Sequence, residues 1–203
     1  MSSSIENLIS IENWPEARRA IRSRLRSSPN DHWLLTRLGL TYYEEKRYEQ
    51  ALKYELRALE KAPNCPLVLW DYAGSLDMLD QRQQALAVYR RLIRRGIPAI
   101  AYGDCGEGLA WARGLIADCH YRIAHCYLGQ HRRRLAVKSL LNHMALRGPG
   151  CRSIYPLAQI QQELRLLRED VTSDSVYPKL RQQPAGVDDG HSRLQPLVRN
   201  RLA

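Results

Sequence analysis

Residues 118–128, DCHYRIAHCYL, set Cys119 beside His120 and His125 beside Cys126, four zinc-ligand side chains within eight positions. On a helix, however, Cys119 and Cys126 share a face about 10.5 Å apart along the axis. Zinc needs sulfurs about 2.3 Å from one ion. The two histidines point away from that pair, and no i, i+4 ligand pair exists among the four. The expectation is that both cysteines are small members of a buried stripe and that no metal is held here.

A second stretch, GDCGEG at 103–108, has the composition of a phosphate-cradling loop or of a cysteine nucleophile site. No strand precedes it and the Lys or Ser/Thr of a phosphate loop is missing. Asp104 and Glu107 have instead the spacing of a capping box at a helix start. No Ser/His/Asp set, carboxylate pair or cofactor motif occurs elsewhere. The sequence therefore predicts a protein that is not an enzyme, with no catalytic residues, no metal and no cofactor.

The elements that would carry these residues are helices. Apolar residues recur three and four apart nearly throughout, with no sustained strand alternation. Pro29-Asn30-Asp31 and Pro63-Asn64-Cys65-Pro66 each stop one helix and begin the next. The pattern predicts helices near 4–12, 15–27, 32–45, 48–61, 66–79, 82–95, 105–128, 131–146 and 156–169, with one long connection at 96–104. The segment is also written repeatedly. Thirty-four residues on from Leu38, Gly39, Tyr42 and Ala51 stand Tyr72, Ala73, Leu76 and Ala85, and 34 back from Ala51 and Pro63 stand Ala17 and Pro29. After an insertion the phase resumes, because Leu76 and Ala85 find Tyr127 and Ala136 51 residues on.

This register resembles the tetratricopeptide repeat, W-x2-L-G-x2-Y, then A-x3-F, then P. One copy has Leu35, Leu38, Gly39, Tyr42, Ala51 and Pro63, with Glu55 where an aromatic is expected. The next has Leu69, Tyr72, Ala73, Leu76, Ala85 and Tyr89, and the third His120, Ile123, Ala124, Tyr127, Ala136 and Leu140. The resemblance implies an all-α, right-handed superhelix of antiparallel helix pairs. Its helical domain covers 1–169: a partial repeat at 4–31, repeats at 32–65, 66–99 and 117–150, an insertion at 100–116 and a capping helix at 156–169. Leu157, Ile160, Leu164 and Leu167 form the apolar stripe of that last helix. Residues 170–203, with three prolines and no sustained periodicity, are expected to be a disordered tail.

In proteins of this kind the first helix of each pair lines a concave ligand-binding surface. The matching positions are Trp33, Thr36, Leu40, Tyr43 and Glu44, then Leu67, Trp70, Gly74, Asp77 and Met78, then Asp118, Tyr121, His125 and Leu128. Trp70 is expected to turn off the packing face into this groove, and Tyr72 to pack inward. The family's familiar clamp for a C-terminal carboxylate is not matched, because Thr36, Leu40, Trp70 and Gly74 stand where Lys, Arg and Asn would be. The chain is also similar to three-repeat chaperones that hold apolar segments of secreted proteins, but departs from them in its charge and its insertion. The resemblance implies an adapter or scaffold burying an apolar or aromatic peptide of another protein.

The formal net charge is +10, with 26 Arg against 5 Lys. Arginine runs supply an alternative contact surface for RNA or DNA: Arg90, Arg91, Arg94 and Arg95, then Arg132, Arg133 and Arg134. The plainer reading is that they are solvated helix faces. Five cysteines without paired spacing fit free thiols in a reducing compartment, and the acidic N-terminal stretch does not read as a secretory signal. No apolar run reaches the roughly 20 residues that span a bilayer, so a cytoplasmic location without membrane insertion is expected.

Overall fold

The computed structural model describes residues 5–174. Within them the chain is all-α: α1 (Ile5–Ser10), α2 (Trp14–Ser27), α3 (His32–Tyr43), α4 (Tyr48–Lys61), α5 (Pro66–Met78), α6 (Arg82–Tyr102), α7 (Leu109–Leu128), α8 (Arg133–Leu146) and α9 (Leu157–Asp174). Each helix packs on the next, and α3 also packs on α5. The array is thus a stack of antiparallel pairs whose first helices lie side by side.

The repeat is legible in the turns that close each pair. Glu12, Lys46, Asp80 and His131 all adopt positive φ, between 57° and 61°. The amides around each turn reach back to the preceding helix in one pattern. Lys46 N–H donates to Tyr43 O and Arg47 N–H to Tyr42 O, at 2.8 and 2.9 Å, and Asp80/Gln81 and His131/Arg132 do the same. These bonds satisfy carbonyls that the helix end would otherwise leave unpaired. Small residues set the spacing inside each pair. Ala17, Ala51, Ala85 and Ala136 are completely buried, and a Cβ on Gly39 would meet the Glu55 side chain at 3.0 Å and Ala51 O at 3.3 Å. Leu34, Leu38, Leu69, Leu76, Leu86 and Leu115 fill the space between them.

Helix starts follow the expected chemistry at Asp31, whose carboxylate accepts from Leu34 N–H at 3.1 Å, and at Pro66, the first residue of α5. Three expectations differ. The second helix of the 66–99 unit does not end at 95: Gly96, at φ 76° and ψ 160°, breaks it, but residues 97–102 resume helical structure, so the true connection is 103–108. Asp104 and Glu107 do not cap α7. Gly108, at φ 87°, occupies the cap and no side chain bonds there. The turn Gly103–Gly106 folds back on the end of α6, as Gly106 N–H to Gly103 O and Gly108 N–H to Ala101 O record. Finally, α9 continues to Asp174, so residues 170–174 are helical. The rest of the expected tail lies outside the described residues.

Candidate peptide-binding groove

Of the expected groove positions on α3, α5 and α7, Leu40, Tyr43, Trp70 and Gly74 come together around one hollow. Between them lies a small, partly open cavity of about 20 Å³, lined by Leu40, Tyr43, Glu55, Trp70, Asp71, Gly74, Tyr89 and Arg122. Gly74 opens it, since the nearest contact of a Cβ there would be the Tyr43 ring, at an ordinary 3.5 Å. Its walls are aromatic. Trp70 and Tyr89 lie with ring centroids 5.7 Å apart, and burial pushes the phenols of Tyr43 and Tyr89 well above the usual range.

Acids lie inside this apolar enclosure. Glu55 accepts from Ser75 Oγ–H at 2.9 Å through one oxygen, while its other oxygen is buried without a partner. One buried oxygen of Asp71 is likewise unpartnered. Burial raises the Glu55 carboxyl well above the usual range and pushes Asp71 up to about 7, although the nearby Arg37 guanidinium acts against this at Asp71. Glu44 rises to about 8 through burial and the neighbouring Asp71 and Glu12 carboxylates. The cation on the far wall is already matched: Arg122 lies 3.0 Å from Asp77, and its Nε–H donates to Tyr89 Oη at 3.2 Å. Arg37 is likewise paired with Glu6 at 2.9 Å.

The expected groove residues divide. Leu40, Tyr43 and Trp70 line the cavity, but Trp70 is only 5 % exposed and belongs to the core shared by α5, α6 and α7. The expectation of a solvent-facing indole is thus corrected: Tyr89, one helix away, covers it. Tyr72, expected inside, is only partly buried. Thr36 and Leu67 are buried, and Trp33, Glu44, Asp77 and Met78 half-buried. Thr36 spends its hydroxyl on His32 O at 2.7 Å.

The third repeat's share of the groove is covered by the chain itself. Residues 151–156 cross α7 where Gly114 allows it, since a Cβ on Gly114 would lie 2.1 Å from Arg152 O. Asp118 then accepts from Ser153 Oγ–H at 2.5 Å and Ile154 N–H at 3.0 Å, and burial pushes its carboxyl to about 7. Tyr155 packs on Tyr121 with centroids 3.9 Å apart. Glu163 of α9 accepts from Tyr121 Oη–H at 2.8 Å and lies 3.1 Å from His125. Tyr121 and His125 therefore seat α9, and Asp118 holds the crossing that leads to it.

Several arginines of the alternative surface are engaged within the chain. Arg90 donates to Tyr127 Oη, Arg91 to Pro63 O and Asn64 Oδ1 at 3.1 and 2.7 Å, and Arg95 to Asn64 O, while Arg132 lies over the Tyr127 ring. Arg94 and Arg134 are exposed and Arg133 half-buried. The Cys119/His120/His125/Cys126 set is dispersed: Cys119 is buried, Cys126 points its thiol at Asp77 3.3 Å away, and His125 faces Glu163.

Glu55, Asp71 and Arg122 were not among the expected groove residues. Each had a signal in the sequence: Glu55 replaces the repeat's aromatic, Asp71 sits between Trp70 and Tyr72, and Arg122 interrupts an apolar run.

No protein-family model and no curated protein matches this chain. Among solved structures, a MamA RS-1 double mutant aligns with a TM-score of 0.63 at 16% identity, over 85% of this chain and 83% of that one. MamA residues 41 to the end from Desulfovibrio magneticus RS-1 align at 0.60 and 16% identity, over 87% and 90%. A further MamA crystal structure gives 0.55 at 16% identity, over 87% of this chain and all of that one. At such identity the likeness concerns the fold, and it extends over most of the chain. Together with the recurring turns and buried alanines, it establishes an all-α array of tetratricopeptide-like helix pairs.

Proposed function

We propose that the protein is a non-catalytic scaffold that binds a segment of another protein on the open part of its concave face, between α3 and α5. The charged tip of one basic side chain of that segment reaches the mouth of the cavity, and flanking apolar or aromatic side chains lie on Leu40, Tyr43 and Met78. The observation that carries this reading is the pair of unpartnered carboxylate oxygens, on Glu55 and Asp71, inside a cavity walled by Tyr43, Trp70 and Tyr89. A guanidinium or ammonium entering there would gain charge-assisted hydrogen bonds and ring faces together. It would also let the raised carboxyls release their protons. A cytoplasmic setting, in which the cysteines stay reduced, belongs to the same proposal.

Nucleic-acid binding is the weaker alternative, because Arg90, Arg91, Arg95 and Arg132 already have partners within the chain. The test is an array of short peptides probed with the protein and with Gly74→Leu, which fills the cavity from a position where an added Cβ first meets the Tyr43 ring, at 3.5 Å. Bound peptides should share an Arg or Lys flanked by apolar residues, and Gly74→Leu should weaken them at least about tenfold. Selection of acidic peptides, or equal binding by both proteins, would overturn the reading.

A further inference from the structure

Three segments distant in sequence place soft ligands at one point. His32 opens α3, Cys65 precedes α5, and Cys105 sits in the turn between α6 and α7. His32 Nε2 and Cys105 Sγ are 3.3 Å apart, and the ligand atoms of all three lie within 4.8 Å of one another. Among the described residues they are the one group of three or more His, Cys, Asp or Glu side chains so placed. Tetrahedral zinc with ordinary bond lengths puts sulfur and nitrogen about 3.5 Å apart, and two sulfurs about 3.8 Å apart. The His32–Cys105 edge already has that length, and Cys65 needs to close by at most about 1 Å, within the reach of a side-chain rotation.

The backbone holds all three positions independently. Asp31 caps the helix that begins at His32. Cys65 N–H donates to Ala62 O at 3.1 Å, and Arg91 and Arg95 clamp the Pro63–Asn64 carbonyls beside it. Cys105 takes a left-handed conformation, φ 62°, in the turn that folds back on the end of α6. A non-glycine residue in that region is uncommon, and here it stands where its thiol reaches α3 and α5.

We propose that His32, Cys65 and Cys105 bind one zinc ion through the imidazole Nε2 and two thiolates, with water at the fourth position. Two thiolates neutralise the ion's charge, so a neutral centre rests against buried Cys65, and the exposed side at Cys105 admits the water. In the metal-free protein burial and the neighbouring Cys65 thiol push the Cys105 thiol up to about 11. Zinc takes cysteine as the thiolate, so binding releases thiol protons to the buffer. The ion would pin the turn after α6 onto the starts of α3 and α5, joining the insertion to two repeats.

The experiment uses the full chain, freed of metal by a chelator under a phosphine reductant and titrated with Co²⁺, which reports its geometry optically. One Co²⁺ per chain is expected, with tetrahedral ligand-field bands, a thiolate-to-metal charge-transfer band, and displacement by one equivalent of Zn²⁺. Cys105→Ser and His32→Ala, at partly or fully exposed positions, should each weaken binding at least about tenfold with an unchanged circular dichroism spectrum. Cys119→Ser should bind like the wild type. Spectra of six-coordinate cobalt, binding retained in Cys105→Ser, binding lost in Cys119→Ser, or a Cys65–Cys105 disulfide that persists under the reductant would each overturn the proposal.

Discussion

The indole of Trp70 and the phenol of Tyr89 meet at 5.7 Å with their planes inclined by 60°, and both are nearly removed from solvent. The contact joins α5 to α6 at the back of the cavity. It makes the groove wall continuous with the core, so a change in the wall is first a change in stability.

Trp70→Ala is therefore expected to cost about 3–5 kcal/mol, the range for a buried large aromatic. Tyr72→Ala should cost less, since Tyr72 is only partly buried. Chemical denaturation of both variants checks the order. A Trp70→Ala protein as stable as the wild type would mean that the indole is not part of the core.

Asp71 and Glu44 make stability depend on pH in an unusual direction. Their folded-state pKa values, about 7 and about 8, lie above those of the unfolded chain, so the folded protein binds more protons between the two values. Their contribution is fully present below about pH 4 and is lost as pH rises, through about 7 for Asp71 and about 8 for Glu44. His143 works the other way, since burial lowers it to about 4. Isosteres isolate the acids. Asp71→Asn should match the wild type near pH 4 and exceed its melting temperature near pH 8. Parallel pH profiles for the two proteins would contradict this.

At Gly114 any side chain strikes the backbone of Arg152. Gly114→Ala should cost roughly 1–3 kcal/mol by overpacking. It should also lift residues 151–156 from α7, which amide exchange would register as faster exchange in α9. Unchanged protection of α9 would show that the close approach is not what seats it.

Ala85→Leu tests the repeat register, because Ala85 is wholly buried between α5 and α6. The expected loss is about 1–3 kcal/mol, read as a lower denaturation midpoint. Ala87→Leu, two residues on and exposed, should leave the midpoint nearly unchanged.

The architecture was legible in the sequence because packing imposes it locally: Ala51, Ala85 and Ala136 recur where two helices must approach, and Asp31 and Pro66 mark helix starts. The site was less legible, for two physical reasons. Helical periodicity tells which way Trp70 points but not that Tyr89 lies across from it, since a residue's exposure depends on helices far away in sequence. Likewise Tyr121 and His125 on α7 occupy the repeat's groove register, yet nothing in α7 announces that Tyr155 and Glu163 return to cover them. Cys105 shows the same limit. Its partners His32 and Cys65 are joined to it by topology alone, whereas the closely spaced cysteines of α7 are kept apart by helical rise.

The return of residues 151–156 across α7 gives the array a direction. A stack of like helix pairs offers a trough that is open at both ends, through which a long strand could run. Here residues 151–156 and α9 close one end over α7, so a guest bound as proposed would lie along α3 and α5 and stop at α7. On the proposed reading such a trough would suit a short segment or a chain end.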